Sequence, residues 1–419
     1  MSAPGLERRA FLGLMAAGSA GAVLPATLSA ALQEAGPVTT GDLEAAESIM
    51  GLSFTPEERE QMVASVNERL ELYRALRKIR VDETVSPAFV FEPVVGPVSL
   101  PEEEVLLDFS SPEEAVRGRD VDLAFASLGQ LQGLLRSGEV SSVELTALYL
   151  ERLEAYGPVL ESVVSLTPEL AMEQARAADE ERAADRVRGP LHGIPWGAKD
   201  LLATSRYRTT WGAKPYEGQS FDYDATAVRK LEAAGAVLTA KLTLGALAQG
   251  DVWFGGRTRN PWDLEQGSRG SSAGSAASVV AGLVGFTLGS ETLGSITSPS
   301  DRCGATGLRP TFGRVSRHGA MALSWTMDKL GPLCRSVEDC ATVLQAIQGS
   351  DGLDPSVRDV PLGWRPERDF RDLRVAYIVS AFESDSPTAE WDRQALEALR
   401  EMGVSPVPFE LPDDFPLQA

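Results

Sequence analysis

Apolar positions early in the chain recur with a helical spacing. Met62, Val63, Val66, Leu70, Leu72 and Leu76 follow a rough 3.6-residue period. They come after Thr55-Pro56-Glu57-Glu58, a helix start with proline in its first turn. Residues from about 41 to 80 are therefore predicted helical. From Val85 to about Asp120 the period is lost among prolines and acids, which reads as a linker lying on a surface. The pattern tightens at Ser127, which is placed to cap a helix through Leu135. Ser141-Ser142-Val143-Glu144 is a capping box opening a longer helix to about Tyr156, and a third helix is expected from Pro168 to about Asp185.

Helix and strand then alternate. Ala225–Ala234 reads as a helix stopped by Gly235, and Ala236–Lys241 as a short strand of buried type. Val284–Leu288 is a second such strand. Near the end, Arg374–Val379, a helix from Ala389 to Met402, and Val404–Phe409 form a strand-helix-strand unit. Alternation of this kind predicts an α/β fold with a largely buried sheet. No internal repeat is visible.

Composition narrows the function classes. The 419 residues are 43% hydrophobic and 24% charged, ordinary values for a globular chain with a sizeable core. A net charge of −21 repels phosphate backbones and argues against nucleic acid as a partner. Cys303, Cys334 and Cys340 are odd in number and include no Cys-x-x-Cys, so neither a full disulfide set nor a thiolate metal site is expected. His192 and His318 are the only two histidines, so any histidine-based catalysis would have to use one of them. Both are read as structural. At the start, Glu7-Arg8-Arg9-Ala10-Phe11-Leu12-Gly13 and a mildly apolar run to about Leu28 resemble a twin-arginine export signal. Ser29-Ala30-Ala31 offers small residues for cleavage. The expectation is a signal over residues 1–31 and a periplasmic or extracellular destination, with no stable membrane insertion, because the run is short and weakly apolar.

Three segments could carry chemistry. In Gly189–Asp200 a lysine, Lys199, closes a Gly/Pro-rich apolar run. If buried, it loses proton affinity and becomes a base near neutral pH. Taken alone, Lys199-Asp200 also fits a surface ion pair. Gly267–Ser278 is a run of small residues that permits close backbone approach before a small-residue helix. No Gly-Lys-Ser/Thr follows it, so a nucleotide-binding loop is not supported. Gly289–Ile296 follows a strand and holds another glycine-flanked serine, in a turn whose N–H groups can converge on an oxyanion.

Together these segments resemble the amidase signature family, which uses a Ser-Ser-Lys triad. The likeness rests on Gly197-Ala198-Lys199-Asp200, on Gly270–Ser275, on Thr292-Leu293-Gly294-Ser295, and on the spacing between Ser271 and Ser295 (295 − 271 = 24). It continues through Cys303–Arg317, Leu330-Gly331-Pro332 and Arg335–Asp339, and covers roughly residues 123 to 411. The resemblance implies an α/β amidase-signature fold: a mixed central β-sheet covered by helices on both faces, here with an N-terminal helical appendage. That appendage and its linker would occupy residues 32–120, as a packing element or as a lid or oligomer contact, and the signature domain residues 121–419. The resemblance further implies Ser295 as nucleophile, Ser271 as proton relay after a cis Gly270–Ser271 peptide, and Lys199 as base. Ser272 would support by hydrogen bonding, and the N–H groups of Thr292, Leu293, Gly294 and Ser295 would hold the oxyanion. It calls for no metal and no cofactor. The expected partner is a small-molecule amide, and a homodimer is compatible.

Several residues depart from the family pattern. Leu293 stands at a usual glycine and is expected to narrow the oxyanion pocket. Glu291 replaces an aspartate and Ala273 a glycine. Lys241–Ala248 lacks the usual Asn and Glu. Thr297 and Ser298 follow the nucleophile where several members carry arginine, which disfavours an acidic substrate. The family normally continues past the segment matching Leu411, so either the C-terminal part is truncated or the cleft is unusually open. Two other readings stay open: the A-type glutaminase component of an amidotransferase, and a weak or inactive amidase-like binding protein.

Overall fold

The computed structural model describes residues 36–79, 120–363, 371, 373–382 and 388–412. The expected export signal and most of the acidic linker lie outside the described residues. Two compact units are present, one formed by most of the chain up to Leu362 and a smaller one from Gly363 onward.

The helical prediction for residues 41–80 resolves into two helices, α1 (Thr40–Met50) and α2 (Pro56–Leu76). Gly51 breaks them apart by taking a left-handed conformation, and Thr55 caps the second through a reciprocal bond with Glu58. Further on lie α3 (Asp120–Phe125), α4 (Leu128–Ser137) and α5 (Ser142–Leu160). Ser127 and Ser141 cap α4 and α5 with full capping boxes, as the sequence predicts. Helix α5 runs four residues past the predicted end and carries Pro158 inside it, until Glu161 turns left-handed. Pro158 removes the N–H that would bond the carbonyl four residues before it, yet the helix continues to Leu160.

A six-stranded sheet forms the centre. In chain order the elements are β1 (Val163–Leu166), α6 (Pro168–Ala183), β2 (Pro195–Lys199), α7 (Thr226–Ala233) and β3 (Val237–Leu242). Two small hairpins follow, β4 (Val252–Trp253) with β5 (Gly256–Arg257), and β6 (Arg259–Asn260) with β7 (Asp263–Gly267). Then come α8 (Ala273–Val280), β8 (Phe286–Glu291), α9 (Thr297–Cys303), β9 (Thr306–Gly307), β10 (Lys329–Cys334) and α10 (Val337–Ile347). The spatial order is β1-β3-β2-β8-β10-β9. Strand β2 lies parallel to both β3 and β8, while β1, β10 and β9 join antiparallel. The sheet is therefore mixed, as expected.

The core joins the helices to the sheet in two buried clusters. One buried cluster joins Leu131, Tyr149, Leu231 and Val343 from four helices to Trp196 and Phe286 from the sheet. Trp196 and Phe286 stack on adjacent strands, centroids 5.9 Å apart and planes 8° from parallel. A second cluster sets Ala276 and Val279 of α8 against Leu242 and Leu333. Small residues let α8 come this close. A Cβ on Gly274 would stand 2.4 Å from the Ser162 carbonyl and 2.5 Å from the Thr243 nitrogen.

The smaller unit contains β11 (Ala376–Ile378), α11 (Val379–Phe382), α12 (Ala389–Glu401) and β12 (Val407–Phe409), with β11 and β12 parallel. This is the predicted strand-helix-strand, with shorter strands. Among the described residues no helix is long and apolar enough to cross a membrane.

Candidate active site

The carboxyl ends of parallel strands are where an α/β sheet gathers its chemistry. Lys199 is the last residue of β2, and Ser290 and Glu291 close the neighbouring β8. Register pairs Ala198 with Leu288, which sets those two ends side by side. Ser271 and Ser272 arrive from a third direction, at the entry to α8, where the Gly270–Ser271 peptide is cis as expected.

These elements surround one amine. Lys199 Nζ lies 2.9 Å from Ser271 Oγ, 3.0 Å from Ser272 Oγ, 2.9 Å from Ser290 Oγ and 3.2 Å from the Ser290 carbonyl oxygen. Lys199 is wholly buried, and Ser271 is 1% exposed. Burial pulls the Lys199 pKa down from its ordinary value to about 7, against the attraction of Asp328 and Glu291. A neutral amine has two N–H donors and one lone pair. The Ser290 carbonyl can only accept. Ser272 Oγ points its own hydrogen at that same carbonyl, 3.1 Å away, so towards Nζ it also accepts. With both amine hydrogens used in this way, the lone pair is left for Ser271 or Ser290. A hydroxyl hydrogen on Ser271 then has an acceptor at hydrogen-bond distance, which is the geometry a proton relay needs.

Backbone fit locks the group. The Ser272 hydroxyl also accepts from the Ser290 N–H at 3.2 Å. A Cβ on Gly289 would come within 2.6 Å of Ser272 Oγ, and one on Gly270 within 1.9 Å of the Gly250 carbonyl. Glycine is required at both positions.

Ser295 lies in the turn between β8 and α9. The Ser272 N–H donates to its carbonyl at 3.1 Å, tying that turn to the lysine cluster. Ser295 is half-buried, whereas Lys199 and Ser271 are enclosed. Gly294 takes a φ of 85°, which bends the turn back on itself. Beneath it the Glu291 carboxylate accepts from the N–H groups of Ile296 at 2.7 Å and Thr297 at 2.9 Å, and Arg309 approaches its other oxygen at 3.3 Å. Burial alone would raise the Glu291 pKa, but the N–H groups of Thr297, Ile296 and Gly294 outweigh it and the carboxyl stays below its ordinary value. Among the described residues the N–H groups of Leu293 and Ser295 take no partner within the chain.

With this geometry in place, comparison with known proteins gives a consistent result. The family model described as Amidase matches residues 144–415. The chain belongs to the amidase family. The A-type component of the glutamyl-tRNA(Gln) amidotransferase from Roseiflexus castenholzii is 42% identical over 299 residues, covering 68% of this chain and 60% of that protein. Its counterpart from Moorella thermoacetica is 39% identical over 296 residues, with the same coverage of both chains. The chain thus spans about 60% of the length of the curated relatives it matches. Among solved structures, the native peptide amidase from Stenotrophomonas maltophilia aligns at 36% identity with a TM-score of 0.63, over 69% of this chain and 62% of that one. An amidase family protein from Bacillus anthracis aligns at 29% identity with a TM-score of 0.66, over 70% and 62%.

Two features of this amidase-family site differ from sequence expectation. Leu293 is 77% exposed and has no left-handed φ, so its side chain stands out from the turn into solvent. Asp200 is buried and forms no surface pair with Lys199. Neighbouring residues at a strand end point to opposite sides, and Asp200 pairs with buried Lys241 at 2.8 Å. The Lys241 stretch, which the sequence marks only as a departure from the family pattern, supplies this partner. Ser290 is a member of the cluster that no motif singles out, although its setting between Gly289 and Glu291 resembles that of the other serines. His192 is buried, with Nε2 2.9 Å from the Ala178 carbonyl oxygen, remote from the serine cluster in its contacts. Beside Ser290 and Asp328 opens a cavity of mixed lining, with Met321, Trp325 and Leu330 on one hand and Arg317, His318 and Asp354 on the other. Its Arg317 is already engaged by Asp354 at 3.0 Å and by the Trp325 carbonyl at 2.6 Å.

Proposed function

We propose that this chain is an amidase that cleaves a carboxylic amide through an acyl-enzyme on Ser295. Ser295 attacks the carbonyl carbon. Its proton passes to Ser271 and from there to neutral Lys199. The tetrahedral oxyanion rests on the Leu293 and Ser295 N–H groups, while the Gly294 N–H, expected to join them, is taken by Glu291. The C–N bond then breaks as the proton returns to the leaving nitrogen, and water hydrolyses the ester by the same groups in reverse. One observation carries this reading: a wholly buried lysine amine, held near neutrality, stands 2.9 Å from a serine hydroxyl that has little access to solvent. In the cavity beside Ser290 the Arg317 guanidinium is already paired with Asp354, which favours an acyl group without a carboxylate.

A fluorophosphonate probe tests the nucleophile. It labels the wild type and fails to label Ser295→Ala. A screen of amides and esters for released ammonia or amine, with the same variant as control, tests the reaction. Absence of labelling in folded wild type rejects the reading.

A second reading is favoured by the curated relatives, which are named as A-type components of amidotransferases. In that case the same chemistry releases ammonia for transfer. Activity that appears only in the presence of partner proteins would select it over free hydrolysis. The amino terminus, proposed as a twin-arginine export signal, argues for the hydrolase. Export of a reporter fused to residues 1–31, lost on replacing Arg8 and Arg9 by lysine, tests that proposal.

A further inference from the structure

We propose that Lys329 is a positioning residue for the oxyanion turn, holding the Thr292–Leu293 peptide so that the Leu293 N–H faces the reacting carbonyl oxygen. The inference rests on the acyl-enzyme reading above. Lys329 opens β10 and sits directly opposite Glu291 of β8 in the antiparallel register. Its Nζ donates to the Thr292 carbonyl oxygen at 3.1 Å. In a trans peptide the carbonyl and the next N–H point in opposite directions. Drawing the Thr292 oxygen towards Lys329 therefore turns the Leu293 N–H away from β10.

Two further contacts make this a clamp instead of a single tether. Asp328, the residue before it, accepts a hydrogen bond from the Thr292 hydroxyl through one carboxylate oxygen. Its other oxygen accepts from the N–H groups of Leu323 at 2.7 Å and Ser324 at 3.0 Å, which fixes the carboxylate itself. Thr292 is thus gripped by side chain and by carbonyl from two consecutive residues. The Leu293 N–H takes no partner within the described residues, so it is free to donate to a substrate. Lys329 is only 8% exposed, and a lysine buried at that depth with a backbone oxygen as its hydrogen-bond acceptor is poorly explained as a surface charge. Burial lowers its pKa and the nearby Arg309 guanidinium lowers it further, while Glu291 and Asp328 act the other way.

The test measures inactivation of the full chain by a fluorophosphonate, whose P–O oxygen needs the same donors as an amide oxyanion. Removing an oxyanion donor outright costs roughly 100- to 1000-fold in rate, and loosening one costs less. Lys329→Met is expected to lower the limiting inactivation rate by about 10- to 100-fold, with the half-saturating probe concentration within about 2-fold of wild type. Lys329→Arg, which keeps a donor for the Thr292 oxygen, is expected to recover most of the rate. If the methionine variant does not fold, Lys329→Gln replaces it, with a smaller loss expected. An unchanged limiting rate in a folded variant, a change confined to half-saturation, or an arginine variant as slow as methionine overturns the inference. Failure of the wild type to label at all overturns the acyl-enzyme reading, which keeps the two failures distinguishable.

Discussion

Asp200 follows Lys199 in the chain, yet its carboxylate is spent on Lys241, 2.8 Å away, and both members of that pair are fully buried. The arrangement keeps the closest possible counter-charge off the Lys199 amine. Asp200 is further satisfied by the Thr210 N–H at 2.8 Å and the Thr210 hydroxyl at 2.5 Å, and Lys241 by the Thr209 hydroxyl at 2.7 Å. Breaking a buried pair from one side strands the other charge and costs about 3–5 kcal/mol. Lys241→Met is therefore expected to lower the urea-unfolding free energy by that amount. Ser295 labelling per folded molecule should change little, because Lys241 makes no contact with the serine cluster. A stability loss under about 1 kcal/mol would show that the pair is not isolated from water as the structure has it.

The pH dependence follows from Lys199. Only the neutral amine accepts a proton, and its pKa is about 7. The acylation rate should hold above that value and fall about tenfold per unit below it. Stability has its own sign. The unfolded chain binds this proton up to a pKa of about 10.4, and the folded chain releases it near neutrality. Between those values the unfolded state holds more protons, so the Lys199 contribution makes the fold more stable as pH rises. Lys199→Ala should abolish labelling, and His192→Asn should retain it in folded protein. An equal loss in both variants would remove the lysine from its assigned role.

Gly289 is predicted to tolerate no side chain. The added carbon of Gly289→Ala would lie 2.6 Å from Ser272 Oγ and 2.7 Å from Leu333 Cδ1. Overpacking of this kind costs about 1–3 kcal/mol. Because Ser272 has to give way, the labelling rate should fall together with the melting temperature. A variant as stable and as reactive as wild type would show that Ser272 has room to move.

Glu291 holds the turn from below through backbone donors, those of Ile296 and Thr297 at 2.7 and 2.9 Å and that of Gly294. Glu291→Ala leaves the Ile296 and Thr297 N–H groups without their acceptor, and a loss of about 1–3 kcal/mol is expected. In the wild type its carboxyl titrates below the ordinary value, so its stabilisation is complete above about pH 4.3 and is lost as pH falls through the lower folded value. Acid-unfolding curves of wild type and variant should converge at low pH. Curves that stay parallel would assign the acid sensitivity to another carboxyl.

Much of the fold could be read from the chain because local signals agreed with it. Ser127, Ser141 and Thr55 carry capping chemistry that the structure uses as written. Strands β2 and β10 carry no such signal. Pro195-Trp196-Gly197-Ala198-Lys199 holds proline, glycine and lysine in five residues, and Lys329–Cys334 holds glycine and proline side by side. Their strand conformation comes from burial between neighbours, which propensity does not register. The same holds for the site. Motifs mark out Lys199, Ser271 and Ser272, but Ser290, Lys241 and Lys329 matter through contacts that the sheet alone creates.

The oxygens around the Lys199 amine arrive from residues 271, 272 and 290, and the grip on Thr292 arrives from residues 328 and 329. During synthesis the residues of β2, α8 and β8 are therefore made before those that brace the turn that follows them. The brace leaves the ribosome only after all four oxygens of the lysine cluster, and a nascent chain that has not yet paired β10 with β8 lacks both contacts to Thr292.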